Sequence, residues 1–248
     1  PAAMRAEQLV DVKWDVPPDQ LLNNEDLFAE AERLQTSREG AQTWLKVGDV
    51  EKVFENGEEF VATYQTAMIE HAALEPRSAL VQKIDDVYHI YSGAHGPSML
   101  IQGIARVLEV SPDRVVYHPH LIGGSFGDKI YGDQIMAAAI ACKQLNRPVK
   151  VILTREDQFN LGHPKSISYQ MMSASLKKDS NLSYPKRVLG IKHDLVAAQV
   201  MPGPAQGAAA FENKEDSTPE PLPVNGTRGV TNGADHWYDF DNIESNYI

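Results

Sequence analysis

One cysteine stands in 248 residues. Cys142 excludes an intrachain disulfide, and it excludes a four-thiolate zinc site or iron–sulfur cluster built by this chain alone. Inside its apolar stretch it reads as a small buried residue. Positive charge is also scarce. Lys and Arg number 23 against 34 Asp and Glu, a formal net charge of −11. A general nucleic-acid binder needs a basic footprint, and docking on anionic lipid needs a polybasic surface, so both are disfavoured. No apolar run reaches the length of a membrane span. The longest, Ile135 to Cys142, makes about two helical turns. The opening Pro1-Ala2-Ala3-Met4-Arg5 lacks a signal peptide's apolar core. It also lacks an initiating methionine, which suggests a processed chain or a piece of a longer one. Phosphate-loop and dinucleotide fingerprints are missing as well, and there is no internal repeat.

What is present is ordinary in bulk. A hydrophobic content of 42% and a charged content of 23% suit a globular chain of one large or two small domains. Leu9 to Trp14 alternates and predicts a strand ending at Pro17-Pro18. Glu25 to Leu34 predicts a surface helix capped by Asn23 or Asn24. Asp49 caps a short helix to Glu55, and Phe60 to Thr66 reads as a strand. Ala79 to Ile84 and Val87 to Tyr91 pair across Asp85-Asp86. Pro97 opens a helix whose Leu100, Ile101, Ile104, Val107 and Leu108 form one apolar stripe. The strand Arg114 to Tyr117 follows, then a glycine loop, then a buried helix from Lys129 to Leu145, then the strand Val149 to Leu153. Ile167 to Leu176 and Val188 to Val200 form a hairpin with an enlarged turn at 177–186. Pro202 to Asp235 reads as coil, and Trp237 to Ile248 regains β character. The fold class is α+β, mixed sheets with packed helices. The expected organisation is an N-terminal segment (1–96), an α/β unit with the hairpin (97–200), an irregular connection (201–235) and a further strand region (236–248).

The stretch with most chemical content is His118-Pro119-His120-Leu121-Ile122-Gly123-Gly124-Ser125-Phe126-Gly127-Asp128-Lys129. Three glycines in five residues permit tight turns and close approach to the main chain. Amides that open a helix are unpaired donors in a positive field, suited to an anionic or oxo-rich group. On pattern alone, that cradle and an ordinary strand-to-helix turn are equally open. A second stretch, Ile69-Glu70-His71-Ala72-Ala73-Leu74-Glu75-Pro76, holds two carboxylates and an imidazole. Composition favours bland roles, with Glu75 capping nearby amides and His71 a satisfied core histidine. His118 and His120 share a strand face, but no third ligand is evident, so no metal ligand is assigned.

Together these stretches resemble a family. Gln65-Thr66-Ala67, His71 to Pro76, Gly123 to Lys129 and Arg147 to Asp157 are similar, in order and spacing, to the large subunit of molybdenum hydroxylases, the xanthine dehydrogenase and aldehyde oxidoreductase family. Leu9 to Asp15 and Gly233 to Ile243 point to the branch of isoquinoline 1-oxidoreductase β-subunits and membrane-bound aldehyde dehydrogenases. The resemblance implies that Gly123, Gly124, Ser125, Phe126 and Gly127 contact a molybdopterin, in its cytosine dinucleotide form with molybdenum, largely through backbone amides. Phe126 and Ile130 then face the substrate pocket. Ile130 stands where the xanthine-oxidising branch carries a glutamate, which disfavours purines. Ile69 replaces a cofactor-facing glutamine of some members, and Ala94-His95 replaces a Thr-Gln pair. Glu75 matches the family as a structural carboxylate.

The family's general-base glutamate and second cofactor loop fall outside this chain, so no catalytic residue is assigned within it. The implied activity is oxidation of an aldehyde to a carboxylic acid with water-derived oxygen. The implied partners are the rest of the molybdenum subunit, an iron–sulfur small subunit carrying [2Fe–2S] and a cytochrome subunit carrying haem c. The implied setting is periplasmic and membrane-associated through those partners, with no transmembrane segment in this chain. An N-heterocycle hydroxylase of the isoquinoline type and a non-catalytic scaffold of such a complex are the alternatives.

Overall fold

A computed structural model of the chain describes residues 2–16, 23–177, 188–198 and 238–248. Two mixed sheets carry the architecture, each with helices against it, which is the α+β class expected. The helices are α1 (Ala2–Glu7), α2 (Asn24–Ser37), α3 (Val50–Asn56), α4 (Pro97–Leu108), α5 (Asp133–Leu145) and α6 (Arg155–Leu161). The strands are β1 (Gln42–Val47), β2 (Glu58–Thr66), β3 (Ser78–Ile84), β4 (Val87–Ser92), β5 (Val115–Pro119), β6 (Val149–Ile152), β7 (Ser168–Leu176), β8 (Val188–Ala197) and β9 (Ile243–Tyr247).

The five-stranded sheet runs β1-β9-β8-β7-β2, antiparallel except for the parallel pair β8–β9. α2 lies against β7 and β8. Its start is fixed by a reciprocal capping box between Asn23 and Asp26. The core there is Ala31, Tyr169, Val196 and Ile248, with Phe28 and Leu34 packed on it. Asp49 caps α3 by accepting from the Lys52 amide, as its position predicts.

The four-stranded sheet runs β5-β4-β3-β6 and draws strands from both sides of residue 97. β4 and β5 are parallel, joined through α4, a βαβ unit. One face alternates Ala79, Val81, Tyr88 and Ile90 inward, and α4 and α5 cover it with Leu100, Ile104, Leu108, Ile135, Ala138, Ala139 and Cys142. The α4 stripe is the one its spacing predicts. α5 exposes Ala137, so it is covered on one broad side rather than all round.

Two expectations need correction. Leu9 to Trp14 forms no strand. It has no partner among the described residues, and Leu9 and Trp14 are exposed. Alternation supplies a face, but a strand also needs a neighbour for its amides. The buried helix, secondly, does not begin at Lys129. Asp128–Ile130 is one 3₁₀ turn, Gly132 breaks the chain at φ 77°, and α5 starts at Asp133. A side chain at Gly132 would also meet Leu100 at 3.0 Å, so α4 and α5 cross where only glycine fits. The coil expected at 202–235 and the enlarged turn, apart from Lys177, lie outside the described residues.

The core makes a direct prediction. Ile90→Ala, at a fully buried position in the central strand β4, is expected to lower unfolding stability by roughly 2–5 kcal/mol. Urea denaturation followed by circular dichroism reads the change.

Candidate functional site

The glycine loop leaves the end of β5 and returns through the 3₁₀ turn to α5. Its shape comes from three consecutive demands. Gly124 sits at φ 93°, Phe126 at 56° and Gly127 at 115°. Left-handed backbone suits glycine, and a bulky residue such as Phe126 adopts it only under constraint. A side chain at Gly127 would strike Nε2 of His71 at 2.9 Å, and one at Gly123 would strike Cβ of Glu75 at 2.6 Å. The loop is therefore pressed against the Glu70–Pro76 stretch with no space for side chains between them.

The constraint comes from a buried ion pair. Lys129 is 1% exposed, and its ammonium binds Oε2 of Glu75. The same oxygen accepts the Gly123 amide at 2.7 Å, and the Glu75 amide donates back to the Gly123 carbonyl at 3.1 Å. Burial pushes the Glu75 carboxyl up, but Lys129 and the Gly123 amide outweigh this and hold it below the usual carboxylate range. Glu75 thus performs the structural work expected of it. Ser125 turns inward, where its Oγ accepts the Lys129 amide at 3.0 Å and its carbonyl accepts the Asp128 amide at 3.1 Å.

The third motif closes the unit. Thr154 and Asp157 cap α6 reciprocally. The first helical residue, Arg155, donates to the carbonyls of Ala73 and Leu74. It also holds Gln158 at 2.9 Å, and Gln158 donates to Asp128 at 2.8 Å. Arg77, also 1% exposed, lies between Asp128 (3.5 Å) and Asp133 (3.1 Å), and His163 reaches Asp133 at 2.6 Å. Desolvation raises the Asp133 carboxyl, and His163 with Arg77 more than reverses it. The stretches 71–76, 123–129 and 147–157 are therefore one hydrogen-bonded body. Arg77, Asp128, Arg155 and Gln158 are members that the sequence reading did not single out. The Thr154 cap with Arg155 and Gln158 three apart on one helix face was the available signal.

The remaining positions sort as follows. Phe126 is 69% exposed and lies over Gly124. Ile130 is half-buried at the end of the 3₁₀ turn, where its amide meets the Gly127 carbonyl at 3.4 Å. The His95 amide bonds the Lys129 carbonyl at 2.9 Å. His118 stacks on Tyr91 and bonds His89 at 2.9 Å, so it is engaged away from His120. His71 departs from expectation, since its Nδ1 is buried without a partner.

One feature can act on a ligand. The amides of Gly124, Ser125, Phe126 and Gly127 donate to nothing among the described residues. Four consecutive unpaired amides, on a loop with Gly124, Phe126 and Gly127 in left-handed backbone, are donors suited to an anionic or oxo-rich group. The helix-dipole contribution expected there is absent, because α5 begins beyond Gly132.

Residues 34–197 match the molybdopterin cofactor-binding domain. The chain belongs to this family, that of the molybdenum hydroxylases. Among curated relatives, it is 28% identical over 241 residues to a membrane-bound aldehyde dehydrogenase (pyrroloquinoline-quinone) of Gluconacetobacter polyoxogenes, covering 96% of this chain and 29% of that protein. It is 26% identical to the isoquinoline 1-oxidoreductase subunit beta of Brevundimonas diminuta, covering 79% and 25%. Xanthine dehydrogenase 2 of Arabidopsis thaliana is 33% identical over 66% of this chain and 12% of its own length. Among solved structures, the aldehyde oxidoreductase of Desulfovibrio gigas superposes with a TM-score of 0.61 at 19% identity, over 84% of this chain and 20% of that one. The chain therefore spans less than a third of these relatives. Among the described residues, no helix is long and apolar enough to cross a membrane.

Two outcomes test the loop's support. Glu75→Gln is expected to melt below the wild type at neutral pH. The gap should close on acidification, because a depressed carboxylate stabilises above its unfolded value of about 4.3 and loses that contribution as pH falls through its folded value. Melting curves from pH 7 to pH 3 measure it. Gly127→Ala should cost on the order of 1–3 kcal/mol, from left-handed backbone and the His71 contact together.

Proposed function

We propose that this chain supplies one wall of a molybdopterin site in a molybdenum hydroxylase that oxidises an aldehyde to a carboxylic acid with water-derived oxygen. The observation that carries the proposal is the row of four unpaired amides, Gly124 to Gly127, on a loop whose floor is locked by Glu75 and Lys129. A side chain at Gly124 would crowd the loop, where the Phe126 ring already lies 3.3 Å from the Cβ position and the Ala73 Cβ 3.6 Å. The donor set suits oxygen-rich anions, so the residues present fit the group that the family binds. When bound, that group supplies the two-electron oxidation chemistry.

The chain's own residues bind and orient. Gly123 is held by Glu75, which leaves the next four amides to face the ligand. Phe126, exposed over the loop, presents an apolar face that orients a substrate and keeps water from its far side. Ile130 offers no hydrogen bond to a purine edge, which favours an aldehyde. The aldehyde dehydrogenase and aldehyde oxidoreductase among its relatives support the same choice. The isoquinoline oxidoreductase subunit keeps an N-heterocycle as the second reading.

The general-base glutamate comes from outside these 248 residues, as does the rest of the molybdenum subunit. The partners of this reading are a small subunit that would carry [2Fe–2S] and a cytochrome subunit that would carry haem c, together accepting the electrons, and the pterin would be in its cytosine dinucleotide form. The assembly works at the periplasmic face of a membrane, held there by partners.

The test is to isolate the assembly that contains this chain and to measure molybdenum, pterin and cytosine nucleotide released on denaturation. Molybdenum near one per chain, and label from isotopic water in the carboxylate product, are expected. Gly124→Val should cut molybdenum and pterin at least tenfold while partner retention is unchanged. An assembly with intact partners and no molybdenum would establish the scaffold reading instead.

A further inference from the structure

Beside the glycine loop three groups converge, each with at least one atom that the loop's own network leaves unpartnered. Glu70 and His71 lie in the stretch after β2, and Asp128 opens the 3₁₀ turn. One ligand atom from each lies within 4.8 Å of the other two. Both oxygens of Glu70, Nδ1 of His71 and Oδ1 of Asp128 are buried without a hydrogen-bond partner. Asp128 is wholly buried, and its other oxygen already serves Gln158 and Arg77. Arg77 is itself divided between Asp128 and Asp133. A buried carboxylate oxygen facing a second carboxylate, with no donor between them, needs a cation or a proton.

Space has been left for these side chains. A Cβ at Gly162 would meet Oε2 of Glu70 at 2.4 Å, and a Cβ at Gly127 would meet Nε2 of His71 at 2.9 Å. Burial holds the His71 imidazole below its ordinary range, against the opposing pull of Asp128, Glu70 and the His163 backbone.

We propose that Glu70, His71 and Asp128 form a binding site for a divalent transition cation of the zinc type, separate from the group held by the loop amides. Two carboxylates balance a double positive charge, and one imidazole nitrogen favours zinc and its neighbours over magnesium or calcium, which take all-oxygen sets. Bonds of about 2.1 Å in a tetrahedral site put ligands about 3.4 Å apart, so small side-chain rotations close the present spacing, and water takes the fourth place. The ion clamps the Glu70–His71 stretch to the floor of the loop. No metal-ligand spacing announces the site in the sequence, because its third member is far along the chain from the first two.

The test uses wild-type protein stripped with chelator and titrated with cobalt(II) or zinc(II). About one equivalent of zinc bound before stripping, and visible cobalt bands of a low-symmetry nitrogen–oxygen site, are expected. Affinity should fall at least tenfold in Glu70→Gln and in His71→Ala, while His118→Ala, which removes one partner of the half-buried His89–His118 pair, retains it. Folded wild-type protein that takes up neither ion at roughly 100 µM overturns the proposal and identifies a shared proton. Uptake unchanged in both variants also overturns it. If the variants do not fold, the cobalt-loaded wild type decides, since a paramagnetically shifted imidazole proton is required and its absence refutes the site. Molybdenum and pterin are counted in the same samples, so loss of either reading shows independently of the other.

Discussion

Everything at the loop depends on where the Lys129 ammonium goes. A lysine at 1% exposure cannot remain uncompensated, because removing an ammonium from water is costly unless an anion meets it in good geometry. Among the described residues only Glu75 does so, and the same carboxylate oxygen also takes the Gly123 amide. One oxygen thus fixes both ends of the loop. Residues 124–127 must span that fixed distance, and they do so with Gly124, Phe126 and Gly127 at positive φ. The unpaired amides follow from this. A chain bent in that way has no register with any strand or helix, so its amides find no partner among the described residues.

The same pair explains why α5 starts late. A helix continuing from Lys129 would have to present Asp128 and Lys129 in helical succession. Asp128 instead points to Gln158 and Arg77, and Lys129 to Glu75. The compromise is a single 3₁₀ turn, closed by the Ser125 hydroxyl and carbonyl, and then a glycine break. Any anion at the loop therefore depends on local amides rather than on a helix dipole.

Sequence legibility followed interaction range. α2, α3, α4 and the β3–β4 pair were readable because caps, stripes and alternation are written within a few neighbouring residues. The strand expected at Leu9 to Trp14 fails for the opposite reason, since pairing is settled elsewhere. The loop's glycines were legible as a device, but not the buried charges beneath it. Arg77, Asp128 and Gln158 come from three separate stretches, and each looks like a solvated polar residue until the fold joins them. The family resemblance reached further than local reasoning because it compared those three stretches together, and they are the ones that form one hydrogen-bonded body.

That body also bears on how a site can be divided between polypeptide segments. Glu75, Lys129 and Ser125 are satisfied internally, and the four amides are open. A surface built this way has little to gain from rearranging when a ligand arrives, because the locked floor already sets its shape. The exposed Phe126 ring makes the same point. Held at positive φ over Gly124, it incurs its backbone strain before any partner binds. Such strain is sustained only where surrounding contacts over-determine it. Here those contacts are the Lys129–Glu75 pair and the Ser125 turn, so the loop's shape is set by this chain's own residues.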